Sequence, residues 1–311
     1  MGTRKDPAGG PTAGHRAGIS LLDGGEKSGM MVRREKPLMD PKTMKKSRRH
    51  ALGQHFLASR AVLAKIVAVI APRREDVIVE VGAGKGVLTA CLAEKAGRVI
   101  AVEKDARLLP GLRGEMPGNV EVIHGDALAV DLKAAARRAG ATALRIAGNI
   151  PYSISTPLLF RVLDERALLS DAAFLVQKEV AARVTAGPGS KAYAPLGILL
   201  QNEFEAKIAF TVAPGSFSPP PKVLSSFLTL RRRPEPILPG AADEPFRAFL
   251  RDAFGERRKT LWKNLARRAD PDRLAAAYGA LGLARNVRAE ALTANVLFAL
   301  FRALFAVPPV V

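Results

Sequence analysis

Five short runs of aliphatic and β-branched residues alternate with amphipathic stretches through the middle of the chain. The runs are VIVEV (77–81), RVIAVE (98–103), VEVIH (120–124), LRIAG (144–148) and AAFLVQ (172–177). A strand that is apolar at consecutive positions has to bury both faces, which is the situation of a parallel sheet covered by helices on each side. The stretches at 88–94, 106–113 and 132–139 carry the spacing of such helices. The alternation therefore predicts an α/β, doubly wound parallel sheet. Two later runs, EAKIAFTV and SSFLTLRRR, are separated only by a proline-rich loop, and are expected to close the sheet as an antiparallel pair.

The segment RRRPEPILPG interrupts this pattern with three prolines and marks a domain boundary, after which every run reads as helix. Leu250, Phe254, Leu261 and Leu265 are spaced for one apolar face, Asp270 and Pro271 for an N-cap and first helical position, and ANVLFALFRALF for a strongly apolar last helix. Residues 1–47 are rich in glycine, proline and charge without periodicity, so they are expected to form a disordered basic extension. Met30, Met31, Met39 and Met44 within it are alternative starts. The division predicted is thus 1–47, 48–233 and 234–311.

Charge describes the partner. The 48 lysines and arginines against 29 acidic residues leave a formal +19, a surface that attracts polyanions. The excess sits at the ends: residues 1–50 hold 12 basic and 5 acidic residues, residues 245–311 again 12 and 5, and the middle is nearly balanced. No run is long enough for a membrane span and the start lacks the apolar core of a signal peptide, so a soluble, cytoplasmic protein is expected. A single cysteine, Cys91, excludes an internal disulfide, and the four histidines show no metal-ligand spacing.

In an open parallel sheet, ligands bind beyond the carboxyl ends of the strands, so the residues that follow each run carry the chemistry. The first run leads into EVGAGKG, where Gly82, Gly84 and Gly86 permit a tight turn open to close approach. A dinucleotide fingerprint wants a third glycine at 87, which is Val87. The turn leans instead toward the amino-acid end of S-adenosylmethionine, which has no pyrophosphate to cradle. The second run ends at Glu103, placed to accept from ribose hydroxyls, a feature shared with nicotinamide enzymes. The third ends at Asp126, an acceptor for an adenine amine or simply a turn cap.

The fourth run ends in GNIPYSIST (148–156). An exocyclic amine on adenine is a poor nucleophile because its lone pair is delocalised into the ring. The Asn149 amide oxygen and the Ile150 carbonyl could each accept one N–H and localise that pair, with Pro151 stiffening the carbonyl and Tyr152 offering a stacking face. Taken alone, the same residues describe an Asx-capped turn. Phe217, before the three consecutive prolines of FSPPPKV, is a candidate second wall for an extruded base or a buried phenylalanine, and Lys222 is placed for its phosphate. In the helical region Lys259, Lys263 and Arg267 recur every four positions, joined by Arg257, Arg258 and Arg268, with only Glu256 nearby. Such a face is solvated or tracks phosphates.

Together GQHFL (53–57), EVGAGKGVLT, GDA, GNIPYSIST, QKEVAARVTAGPGSKAY, FSPPPKV and RRKTLWKNL resemble the small-subunit ribosomal RNA adenine dimethyltransferases of the KsgA type, from residue 48 to the end. The resemblance implies a Rossmann-like S-adenosylmethionine-dependent methyltransferase sheet with a smaller helical C-terminal domain that engages the RNA. It implies transfer of two methyls to N6 of each of two adjacent adenosines in a hairpin loop near the 3′ end of small-subunit (16S) RNA, either as naked RNA or in a 30S pre-ribosomal particle. By motif, His55, Leu57, Gly82, Glu103, Asp126 and Asn149 would line the cofactor site, with GQHFL covering its methionine end. The competing expectations are a large-subunit (23S) adenine methyltransferase of the macrolide-resistance type, a ribosome assembly factor whose binding role dominates, and, weakest, a nicotinamide oxidoreductase. No metal is implied, and a monomer is the default.

Overall fold

The computed structural model describes residues 54–241 and 243–305; the expectations for residues 1–47 and for Gly53 lie outside them. The predicted strands form a single seven-stranded sheet. It comprises β2 (Val77–Val81), β3 (Arg98–Glu103), β4 (Val120–His124), β5 (Leu144–Asn149), β6 (Leu169–Gln177), β7 (Phe204–Val212) and β9 (Ser225–Arg232). Their order is β4-β3-β2-β5-β6-β9-β7. The first five are mutually parallel, β9 runs antiparallel to β6, and β7 antiparallel to β9. A separate two-stranded ribbon joins β1 (Phe56–Leu57) to β8 (Phe217–Ser218).

Neighbouring residues on the central strands point to opposite faces, and both are buried. Ile78, Ala147 and Ala173 pack against Leu63, Ile66 and Ile70 of α1 (Arg60–Ile70) and Leu88 and Leu92 of α2 (Val87–Ala93). Their sequence neighbours Val79, Ile146 and Phe174 belong to the opposite cluster, with Leu158, Leu159 and Val162 of α5 (Ser155–Asp164). Two buried faces require the continuous apolar runs seen in the sequence. Between them along the chain lie α3 (Leu109–Glu115) and α4 (Leu132–Ala139), and after β6 come α6 (Lys178–Thr185) and α7 (Pro195–Glu203). Strand β6 begins at Leu169, earlier than the apolar run, and its polar start is matched across the ladder, where Arg145 pairs with Asp171 at 2.8 Å and also with Asp76 at 2.5 Å.

The order reverses between β2 and β5, which makes the carboxyl ends of these two strands the crevice of the sheet. They approach closely there. A Cβ on Gly148 would lie 2.3 Å from the Val81 carbonyl oxygen, so the residue before Asn149 has to be glycine.

Beyond the sheet run α8 (Glu244–Ala253), α9 (Leu261–Leu265), α10 (Pro271–Ala280) and α11 (Ala294–Phe305), and the apolar cluster under α5 continues into Phe246, Leu250, Leu261 and Leu300. Asp270 caps α10 as its sequence predicts, accepting from Arg273 N at 2.9 Å. The expectations that Leu250, Phe254, Leu261 and Leu265 lie along one helical face and that Lys259, Lys263 and Arg267 lie along another are corrected, since α8 ends at Ala253 and α9 starts only after Thr260. Buried Asn264 holds this break, donating to the Ala253 and Glu256 carbonyls at 2.9 and 3.3 Å. Lys259 thus precedes a five-residue helix and Arg267 follows it, so the three cations share no helical stripe. No helix among the described residues is long and apolar enough to cross a membrane.

Candidate active site

A cavity opens at the crevice. Its walls come from the ends of β2 (Val81, Gly82, Gly84), β3 (Glu103, Lys104), β4 (Gly125, Asp126) and β5 (Asn149 to Tyr152), and from Gln54, His55 and Phe56. Gly82, Gly84 and Gly86 all adopt positive φ, at 73°, 61° and 79°. Only the first two face the cavity. At Gly84 a Cβ would also sit 3.2 Å from the Phe56 ring, so the β1 segment closes directly over bare backbone. Gly86 serves packing behind the turn, where a Cβ would meet the Met116 methyl at 2.8 Å.

Glu103 is 4 % exposed, yet both its oxygens are satisfied by the main chain, Oε2 from Gly84 N at 2.8 Å and Oε1 from Asp105 N at 2.7 Å. Two amides fix the carboxylate in place while each oxygen keeps a lone pair for a ligand hydroxyl. Asp126 combines both readings of its sequence position. Its Oδ1 caps the turn through Leu128 N at 2.9 Å, and its Oδ2 pairs with Lys104 Nζ at 2.7 Å. The Lys104 contact first, then the Leu128 amide, hold its carboxyl below the usual range.

At the tip of β5 the Asn149 side chain donates from Nδ2 to the His55 carbonyl at 2.7 Å. A carbonyl only accepts, so this bond fixes which way the amide faces and leaves Oδ1 an acceptor that no donor among the described residues meets. Ile150 N is taken by the Leu175 carbonyl at 3.1 Å, whereas no donor among the described residues meets the Ile150 carbonyl. Pro151 follows, with φ −54° and ψ 129°. The Tyr152 hydroxyl bonds Ser225 Oγ at 2.7 Å, its ring lies 5.6 Å from that of His55, and burial pushes its phenol up. His55 Nδ1 donates in turn to the Pro219 carbonyl at 2.8 Å. One histidine therefore joins the β1 segment, the β5 tip and the proline-rich loop.

Two of the expected wall residues face elsewhere. Phe217 is 4 % exposed in the cluster of Leu63, Val212 and Phe227, because its pairing with Leu57 across the β1–β8 ribbon turns the ring onto α1. Leu57 packs against that same cluster. Their role is to anchor the segment that carries His55, while Lys222 is exposed and is not among the cavity walls. Among the cations of the helical region, Glu256 pairs with Lys259 at 2.8 Å and also with Arg267, and Asp252 with Arg268 at 3.1 Å. Arg257, Arg258 and Lys263 stay exposed, with no ion pair among the described residues. Gln54 and Phe56 belong to the GQHFL segment that the resemblance places over the cofactor, whereas Lys104 was not singled out from the sequence. Lys104 was findable, as it adjoins Glu103 at a strand end, where side chains point to the crevice.

Fold and crevice together are those of a Rossmann-like methyltransferase. A 23S rRNA methyltransferase, ErmE, superposes with a TM-score of 0.63 at 28% identity over 80% of this chain and 99% of its own. A dimethyladenosine transferase from Plasmodium falciparum gives 0.67 at 25% identity, over 79% and 96%. The model of the ribosomal RNA adenine dimethylase family matches residues 45–305, and the chain belongs to that family. Among its relatives are the ribosomal RNA small subunit methyltransferases A of Geobacter sulfurreducens, 46% identical over 70% of this chain and 79% of the relative, and of Geobacter metallireducens, 41% identical over 83% and 96%.

Proposed function

We propose that this chain uses S-adenosylmethionine to dimethylate N6 of two adjacent adenosines in a hairpin loop near the 3′ end of small-subunit ribosomal RNA, within a 30S precursor particle in the cytoplasm. The observation that carries the reading is the pair of acceptors at the β5 tip that no donor among the described residues meets, Asn149 Oδ1 and the Ile150 carbonyl. The residues of the crevice suit the cofactor: bare backbone at Gly82 and Gly84 admits a ligand closely, Glu103 has spare lone pairs for ribose hydroxyls, and Asp126 can accept from an adenine amine. When bound, S-adenosylmethionine supplies an electrophilic methyl on a sulfonium.

The chain's own part is to make the amine a nucleophile. Two N–H bonds accepted by Asn149 Oδ1 and the Ile150 carbonyl draw the nitrogen toward tetrahedral geometry and free its lone pair. Tyr152, with its hydroxyl pinned by Ser225, presents a fixed face for the base. Each transfer would form one N–CH3 bond while the donor's S–CH3 bond breaks to leave a neutral thioether, and the amine's surplus proton would pass to solvent. After the first, one N–H remains, so a single acceptor still orients the nitrogen for the second. Catalysis is then positioning, with no strong base required.

The small-subunit reading is favoured over the large-subunit one because the relatives matched at 40% identity or more are small-subunit enzymes, whereas ErmE stands at 28%. In this reading residues 48–233 are the methyltransferase domain, and residues 234–311 engage RNA through Arg257, Arg258 and Lys263, with Lys222 as a further contact. The experiment is transfer of labelled methyl to undermethylated small subunits, with the labelled nucleotides mapped. Label on two adjacent small-subunit adenosines supports the reading, and label confined to large-subunit RNA overturns it.

A further inference from the structure

Arg161 lies on α5, the helix that starts at Ser155 directly beyond the Tyr152 turn. From there its guanidinium reaches across to the segment that follows β4, donating from one nitrogen to the Ala127 carbonyl and from another to the Val130 carbonyl. Among the described residues it has no ion pair. A half-buried guanidinium without a carboxylate partner is costly, and burial is the first cause pushing its pKa below the ordinary arginine value, against the pull of Glu165, Asp126 and Asp131. The two carbonyls it takes belong to the 126–130 turn, where Asp126 O accepts from both Ala129 N and Val130 N, at 2.8 and 3.1 Å. Gly125, Asp126 and Ala127 of that turn are walls of the cavity.

We propose that Arg161 is a positioning residue for the cofactor: it clamps the turn that presents Asp126 and ties it to the helix that begins at the β5 tip. The inference rests on S-adenosylmethionine occupying this cavity. A planar fork can hold two carbonyls at once, and a lysine ammonium on a flexible stem does so poorly. The clamp acts on ground-state binding of the cofactor, since Arg161 does not itself line the cavity and the acceptors that orient the amine lie on a different strand end.

The test measures S-adenosylmethionine affinity by equilibrium dialysis for the full chain, for Arg161→Lys, Arg161→Met and Asp126→Ala, and for the Arg161→Met/Asp126→Ala pair, with kcat and KM on undermethylated small subunits and the melting temperature of each. The expected result is a Kd and a cofactor KM raised about tenfold in Arg161→Met and less in Arg161→Lys, with kcat within about twofold. In the double variant the two losses fall short of their product, because Arg161 works through the turn that Asp126 occupies. Unchanged affinity with a lowered melting temperature, a loss confined to kcat, or effects that multiply would each overturn the inference. A wild-type chain that binds no S-adenosylmethionine would instead overturn the reading of the cavity, and the clamp with it. Should Arg161→Met fail to fold, Arg161→Lys carries the affinity and kcat comparison alone.

Discussion

Glu80 is 1 % exposed on β2, beneath the glycine turn, and its Oε2 has no hydrogen-bond partner of normal geometry among the described residues. Burial first pushes its carboxyl from 4.5 to about 8, with the neighbouring Thr89 hydroxyl opposing the shift and the Glu103 charge adding a smaller contribution to it. The folded chain thus holds a proton that the unfolded chain gives up. The sign follows from that: the contribution is fully present below pH 4.5 and is lost as pH rises through about 8. Each pH unit in that window removes about 1.4 kcal/mol, so between pH 5.5 and 7.5 this group lowers stability by an amount on the order of 3 kcal/mol. Glu80→Gln has no proton to lose. At roughly 1.5–2 °C per kcal/mol for a chain of this size, the melting temperature of Glu80→Gln relative to wild type should rise by about 4–6 °C from pH 5.5 to 7.5. The assay is calorimetry of both proteins at the two pH values, without cofactor, so that other carboxylates cancel. A difference that stays flat with pH would refute the reasoning, because Glu80 would then be ionised in the fold.

Asn264→Ala should lower stability by about 1–3 kcal/mol, leaving two carbonyls unmet at the α8–α9 break, while methyl transfer per folded molecule is kept; chemical denaturation and an activity titration check both. Replacing Arg257, Arg258 and Lys263 together should flatten the salt dependence of small-subunit RNA binding by up to about 2–3 units of log–log slope. Replacing Lys259 and Arg267, which Glu256 already engages, should change it much less.

The sheet could be read from the chain because its central strands bury both faces: Ile78 and Val79, or Ala173 and Phe174, leave a continuous apolar signature that helices do not share at that length. The strand-end residues were legible for a related reason, as a parallel sheet sends Gly82, Glu103, Asp126 and Asn149 to one crevice whatever lies between them. What escaped depends on pairing across long separations. Phe217 reads as an aromatic wall until its partner Leu57, far away in the chain, is known to turn it inward. The cation stripe failed similarly, since periodicity presumes an unbroken helix and the Asn264 side chain stabilises a break. Arg161 gave no signal at all, because the carbonyls it holds belong to main chain that any residue could supply.

The contact of Asn149 with the target amine is the step on which the proposed chemistry depends. Its direct measurement pairs S-adenosylmethionine dialysis with labelled methyl transfer to undermethylated small subunits for Asn149→Ala. The expected result is a cofactor Kd close to wild type and a kcat lower by about 100- to 1000-fold, as when one positioned hydrogen-bonding group is removed from a reacting centre. Turnover at the wild-type rate in that variant would contradict it.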